Sequence, residues 1–239
     1  MKIALIGYGK MGKAIEEIAL SKGHEIILKI NDENLAELNI INLEQCDVAI
    51  EFTNPESAIG NMKNCIDAGV PVVCGSTGWV AKQAEIIEYC KDKNGTLLYS
   101  SNFSIGVNIF FELNKKLAEL MSHQKEYTVS IEEIHHTQKK DAPSGTAISL
   151  AQQIINERVD INSWVLDTMP ASNEINITSK RVDPAPGTHH VKYNSDVDDI
   201  EIIHTAHSRK GFATGALVAA EFVFDKKGVF TMSDVLKTL

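Results

Sequence analysis

The first residues constrain this chain most. Lys2-Ile-Ala-Leu-Ile6 is a short apolar run that passes directly into Gly7-Tyr8-Gly9-Lys10-Met11-Gly12, and helical apolar spacing follows from Lys13 to Ser21. A G-x-G-x-x-G set between a strand and a helix admits few folds, because each glycine has its own geometric duty. The first allows a tight turn, the second lets backbone N–H groups approach a pyrophosphate, and the third permits close packing of helix on strand. A second apolar strand, Glu25–Ile30, ends at Asn31-Asp32, about 20 residues beyond the turn, where an adenine-ribose contact falls in such units. The pattern predicts a dinucleotide site made by Gly7, Tyr8, Gly9, Lys10, Met11 and Gly12, with Asn31 or Asp32 at the ribose.

Charge at that tip bears on which cofactor is used. A carboxylate at Asp32 accepts hydrogen bonds from a ribose 2′-OH and repels a 2′-phosphate, whereas Lys10, Lys13 or Lys29 offset the repulsion and Asn31 discriminates little. The expectation is use of both NADH and NADPH, with a lean toward NADH.

Strands and helices then alternate. Asp47–Thr53 reads as a strand with Pro55 opening a helix to Cys65; Val70–Cys74 is a strand, Trp79 begins a helix to about Lys91, and Thr96–Ser101 is the next strand. This alternation predicts a Rossmann-like, doubly wound parallel sheet, in which ligands bind beyond the carboxyl ends of the strands. Thr53, the Gly75-Ser76-Thr77 turn and Ser100-Ser101-Asn102-Phe103 fall at those ends and are expected to face the nicotinamide half. From Tyr127 the order changes to one long strand, a helix after Thr146, and strand-like runs at Ile175–Val182, His189–Tyr193 and Asp199–Ala206. These predict an α+β domain with a largely antiparallel or mixed sheet. The helical pattern Ala213–Phe224 is expected to return to the first domain. Residues 1–104 with 213–239 are therefore assigned to dinucleotide binding and 105–212 to a second, substrate-binding domain.

The strand Tyr127–His136 delivers His135-His136 into Thr137-Gln138-Lys139-Lys140-Asp141-Ala142-Pro143-Ser144-Gly145-Thr146. Adjacent strand residues face opposite sides, so the two histidines have different duties unless the strand bends. Pro143-Ser144-Gly145 supplies a rigid φ, an N-cap hydroxyl and an open backbone to the following helix, whose free N–H groups can hold a carboxylate. Two lysines and two histidines stand against a formal net charge of −9 for the chain, so they attract anions at close range.

That acidic balance, with no basic stripe, argues against a nucleic-acid partner. At 239 residues and 44% hydrophobic content the chain can bury a large core. Its first apolar run is too short for a secretory signal and no later segment approaches a membrane span, so residence in the cytoplasm is expected. Cys46, Cys65, Cys74 and Cys90 form no C-x-x-C pair and read as small hydrophobes in a reducing compartment.

Taken together these segments resemble the dihydrodipicolinate reductase family, over nearly the whole chain. The carriers are Glu133-Ile134-His135-His136 with Lys139 and Asp141-Ala-Pro-Ser-Gly-Thr146, then Phe52-Thr53, Gly75-Ser-Thr-Gly78, Ser101-Asn-Phe-Ser-Ile-Gly-Val107 and Phe212-Ala-Thr-Gly-Ala216. The resemblance implies that His135 donates a proton and Lys139 assists it. It also implies that His136, Ser144, Gly145 and Thr146 hold the carboxylates of a small dicarboxylate substrate, and that the chain forms a homotetramer through the second domain. The implied reaction is loss of water from a cyclic hydroxy-imine and hydride transfer from NADH or NADPH to ring carbon 4, in the diaminopimelate route to lysine. Thr137 and Gln138 stand where some members are more basic, and the stretch from Asn156 to Ile175 is short.

Three other readings stay open on the residues alone. One is another nicotinamide oxidoreductase acting on an anionic carbonyl or imine, and another is a nucleotide sensor without catalysis. The third is a metal-dependent hydrolase using His189-His190 or His204 and His207, which strand geometry opposes because positions three apart face opposite ways; no metal ligand is assigned. Arg209 is a candidate for reaching a carboxylate.

Overall fold

The computed structural model describes residues 1–208 and 210–239, and of Val80 the backbone alone. The expected carboxylate contact of Arg209 lies outside the described residues. In chain order the first elements are β1 (Lys2–Ile6), α1 (Lys10–Ser21), β2 (Glu25–Ile30), α2 (Ile40–Leu43), β3 (Val48–Glu51), α3 (Pro55–Asp67), β4 (Val72–Cys74), α4 (Gln83–Asp92) and β5 (Thr96–Tyr99). There follow α5 (Ile105–Leu120), β6 (Thr128–His135), α6 (Gly145–Glu157), β7 (Ser163–Leu166), β8 (Glu174–Arg181), β9 (Gly187–Asn194) and β10 (Asp199–Ala206). The chain closes with α7 (Lys210–Val223), β11 (Gly228–Phe230) and α8 (Met232–Leu236).

Two compact units result, Met1–Ile105 with Lys210–Leu239, and Gly106–Arg209. In the first, a 6-stranded sheet has the order β11-β5-β4-β3-β1-β2 and every pairing is parallel. Helices cover both faces. Ala58, Met62, Cys65 and Ile86 pack on one side and Ile15, Ala19, Ala216 and Ala220 on the other, so β1 and β3 read as continuous apolar runs. The four cysteines are free and buried, and burial pushes the Cys46 thiol up to about 11, which leaves it an inert hydrophobe.

The second unit holds a 5-stranded mixed sheet ordered β10-β9-β6-β8-β7, with β6 antiparallel to β9 and parallel to β8. Its strands alternate, and one face buries Val129, Ile131, Ile175, Ile177, Val191 and Tyr193 against Leu150, Ala151 and Ile154 of α6 and Phe110 and Ala118 of α5. At the end of α6 the buried Arg158 guanidinium, 2% exposed, pairs with both carboxylate oxygens of Asp160 at 2.9 and 2.7 Å.

Local differences from the sequence expectation have local causes. The helix expected from Trp79 starts later, at Gln83, after a 3-10 turn at Val80–Lys82. Trp79 is instead buried, with its Nε1 donating to Ser76 O at 2.6 Å. The short strands β7 and β11 and the helix α5 were not anticipated; β7 and β11 pair as sheet edges at Val165↔Asn176 and Val229↔Leu97. Among the described residues no helix is long and apolar enough to cross a membrane.

Candidate functional site

Backbone builds the site of the first unit. Gly7 has φ +93°, and a Cβ there would stand 2.0 Å from the Phe52 carbonyl oxygen; at Gly12 it would stand 2.8 Å from the Gly7 oxygen. Gly9, between them, has nothing within 4 Å of a Cβ. Gly7 and Gly12 are thus glycine because protein fills the space, whereas the space beside Gly9 is open. Helix α1 begins there with no side-chain cap and no acidic residue in its first turn. An uncapped N-terminus beside an open glycine suits a phosphate group, through free N–H groups and the positive end of the helix dipole.

The neighbouring strand ends line up because backbone bonds carry each ladder one residue further. Gly7 N donates to Ile30 O at 3.0 Å, Phe52 N to Ile6 O at 2.8 Å, Gly75 N to Glu51 O at 2.8 Å and Ser100 N to Cys74 O at 3.2 Å. The structure therefore brings Gly7, Thr53, Gly75-Ser76-Thr77 and Ser100-Ser101-Asn102-Phe103 to the carboxyl ends of four neighbouring strands. Thr53 N donates to Ser76 Oγ at 2.8 Å, and the Phe52 and Phe103 rings pack 5.7 Å apart. Beneath them lies a residue the sequence reading missed. Glu51 is fully buried, and its carboxylate accepts from Thr53 Oγ1, from Asn61 Nδ2 at 3.3 Å and from Cys74 Sγ at 3.1 Å, tying two of the tips together. An acid inside an apolar strand was the available signal.

At the end of β2, Asn31 Oδ1 accepts from Glu33 N at 2.9 Å and Asn31 N donates to Asn34 Oδ1 at 2.8 Å, so Asn31 builds the turn; Asp32 is exposed. Lys29 is held by Glu16 at 2.6 Å beside the Tyr8 ring, and Tyr8 OH also donates to Glu16. The hydrogen bond from Lys29, followed by that from Tyr8, holds the Glu16 carboxyl below the usual range. Lys10 and Met11 follow at the helix start.

Strand register builds the site of the second unit. Glu133 and His135 share the buried face of β6; Glu133 is paired with His189 on β9 and with Ser179 on β8, and His135 with Arg181 on β8. Five side chains from three strands therefore meet. Glu133 accepts from Ser144 N at 3.0 Å, Ser179 Oγ at 2.8 Å and Arg181 Nη2 at 3.1 Å. Burial works against its ionisation, but those bonds, led by Ser144 and Ser179, outweigh it and hold the carboxyl below its ordinary value. His135 Nδ1 lies 3.5 Å from Glu133 Oε2, and the His135 and His189 rings meet edge to face at 5.1 Å. Burial lowers the proton affinity of His135, opposed by the Glu133 charge and reinforced by Lys139 and Arg181. Burial likewise lowers His189, to about 3, so that ring is neutral.

Ser144 caps α6, accepting from Ala147 N at 3.2 Å, and its Oγ lies 3.1 Å from His189 Nε2. A Cβ on Gly145 would meet nothing within 4 Å, which leaves the helix start open beside Thr146. His136 lies past the end of β6 and is half-buried, while Lys139 Nζ sits 2.8 Å from both oxygens of Asp141. Arg181 Nη2 also donates to Asp141 O at 2.7 Å, which fastens the loop to β8. Glu133, Arg181 and Ser179 were given no role on sequence, and His189 entered only as a metal candidate. Period two from Glu133 to His135 was the one readable signal; strand pairing supplied the others.

Comparison with known proteins agrees along the whole length. Residues 1–103 match the family described as dihydrodipicolinate reductase, N-terminus, and residues 106–236 its C-terminus. A 4-hydroxy-tetrahydrodipicolinate reductase from Christiangramia forsetii is 51% identical over 239 residues, covering 100% of this chain and 99% of the relative. One from Methanococcoides burtonii is 36% identical, covering 95% and 85%. Among solved structures, the dipicolinate-bound dihydrodipicolinate reductase from a Paenisporosarcina species superposes with a TM-score of 0.76 at 22% identity, over 97% of both chains. An amine dehydrogenase from Mycobacterium smegmatis reaches 0.63 at 12% identity, over 96% of this chain and 94% of its own, and so shares the fold. A parallel nucleotide-type sheet, a mixed sheet with a buried Glu-His-His cluster, and full-length likeness to one set of reductases lead to one conclusion: this chain belongs to the dihydrodipicolinate reductase family of oxidoreductases.

Proposed function

We propose that this chain reduces 4-hydroxy-tetrahydrodipicolinate to tetrahydrodipicolinate, with loss of water and oxidation of NADH or NADPH, in the diaminopimelate route to lysine. The observation that carries this reading is the buried His135 on its Glu133 support beside Lys139 and the open start of α6. That set can hold a dicarboxylate and deliver one proton. Residues 1–104 with 213–239 form the dinucleotide domain, and 105–212 the substrate domain through which the chain forms a homotetramer; it works in the cytoplasm.

Gly7, Gly9 and Gly12 fit a pyrophosphate, and Tyr8, Lys10, Met11, Thr53, Gly75-Ser76-Thr77 and Ser100-Ser101-Asn102-Phe103 complete the nucleotide contacts. When bound, the reduced nicotinamide supplies the hydride. Asp32 takes the ribose hydroxyls, because Asn31 is committed to its turn and Lys29 to Glu16. His136, Ser144, Gly145 and Thr146 receive the substrate carboxylates, and Lys139 leaves Asp141 to pair with one of them; a charge-assisted bond of this kind contributes roughly 1.5–3 kcal/mol. Burial keeps His135 short of protons in the free protein, and two incoming carboxylates reverse that balance, so the imidazolium forms where the ring anion must be quenched. A positioned acid of this kind contributes about 10²–10⁴-fold.

The reading is tested by following reduced-nicotinamide absorbance with freshly generated 4-hydroxy-tetrahydrodipicolinate, NADH and NADPH in parallel. Substrate-dependent oxidation with either cofactor supports it. Nucleotide binding without oxidation removes this reductase assignment and leaves a nucleotide sensor or an oxidoreductase of another substrate.

A further inference from the structure

The approach of His189 to the Glu133–His135 pair in the second unit is not required by the proposed reduction. Glu133 Oε2 lies 3.5 Å from His135 Nδ1 and 3.8 Å from His189 Nε2, and donor atoms of the three residues all fall within 4.8 Å of one another. Tetrahedral zinc, with bonds of about 2.0–2.1 Å, spaces its ligand atoms roughly 3.3–3.5 Å apart, so a modest contraction completes a two-histidine, one-carboxylate set. All three residues are buried, His135 to 8% exposure, and among the described residues its Nδ1 has no hydrogen-bond partner. An orphaned buried nitrogen calls for a physical reason, and a lone pair available to a cation is one.

The surroundings resemble the outer shell of a metal site. Ser144 N–H, Ser179 Oγ and Arg181 already fasten the Glu133 carboxylate, as ligating carboxylates require. Ser144 Oγ, 3.1 Å from His189 Nε2, must release that nitrogen and then stands beside the ion. Arg181 and Lys139 are cationic and face the same cluster, which sets the affinity below that of a resident structural zinc.

We infer that Glu133, His135 and His189 form a binding site for a divalent transition-metal ion of the zinc class. An ion on His135 Nδ1 prevents the imidazolium from forming, so it inhibits turnover; that consequence goes beyond the proposed function and rests on it, whereas binding does not. The ligands come from β6 and β9, distinct from the His204 and His207 pair that the strand period disfavours.

The test uses zinc alone, competed against a chromogenic chelator on the full-length protein, together with the visible spectrum of the cobalt(II) form. The expected result is one zinc per chain, weakened at least about tenfold in both His135→Gln and His189→Gln, with a cobalt band in the parent that both variants lose. A His190→Gln variant, altering the neighbouring half-buried ring on the opposite face of β9, should retain the affinity. Failure of the parent to compete with the chelator, or zinc held equally by the two ligand variants, overturns the site. Should either variant unfold on thermal melting, the other variant and the parent cobalt spectrum still decide. Metal-free turnover is measured separately, so a failed reductase assay and a failed zinc site are distinguishable.

Discussion

The two sites are built in opposite ways. In the first unit a contiguous run, Gly7 to Gly12, makes the proposed nucleotide cradle chiefly out of main chain, with glycine at three of its six positions. In the second, Glu133, His135, His189, Ser179 and Arg181 lie up to 56 positions apart and meet only because β6 pairs with β8 and β9 in one register. A site of backbone tolerates little change in local conformation, and a site of side chains tolerates little slip in strand pairing.

The sharpest break of this comparison is at the turn. Gly7→Ala puts a Cβ into the Phe52 carbonyl at a positive φ and is expected to cost on the order of 3–5 kcal/mol in urea unfolding. Gly9→Ala, in open space, should leave stability within about 1 kcal/mol while weakening nucleotide titrations. Equal destabilisation by both would mean that the cradle is not backbone-limited.

Next in size, His135→Gln should lower kcat about 100-fold or more, roughly 2.7 kcal/mol, while His136→Gln acts mainly on KM. Turnover like the parent's in the His135 variant removes it from the chemistry. Asp160→Asn leaves the buried Arg158 guanidinium without its counter-charge at the end of α6, with the Tyr127 carbonyl still accepting at 3.4 Å, and should cost about 2 kcal/mol in thermal or urea unfolding. The hydrogen bond from Arg158 holds the Asp160 carboxyl below its ordinary value, so the pair stabilises above the unfolded carboxyl pKa. That contribution is lost as pH falls through the folded pKa, and parent and variant should converge in acid. Convergence on raising the pH instead would reverse the assignment. The smallest effect is expected at Asp32→Asn, which should shift the ratio of NADH to NADPH efficiency toward NADPH by a few-fold, on the order of 1 kcal/mol. An unchanged ratio moves ribose recognition elsewhere.

Legibility followed the same division. The glycine turn, the strand tips and the Ser144 cap were readable because each depends on neighbours within a few positions, where covalent geometry and hydrogen-bonding capacity leave few solutions. His135 was nominated by its resemblance to a known pattern and placed on β6 by period-two alternation. Its partners were not readable: nothing in Ser179, Arg181 or His189 indicates that they lie beside Glu133, and β7, β11 and α5 went unnoticed. Glu51 is an acid in an apolar strand whose partners, Asn61 and Cys74, are supplied by other elements.

The sequence alone determined most elements, the fold class, the family and the strand–glycine-turn–helix start, because these follow from local stereochemistry, apolar period and recurrent motifs. Tertiary structure decided which side chains surround His135, how burial and Glu133 balance its proton affinity, and that three separated residues approach metal-ligand spacing. Strand register sets those distances, and register is a property of paired chains that no single stretch of sequence contains.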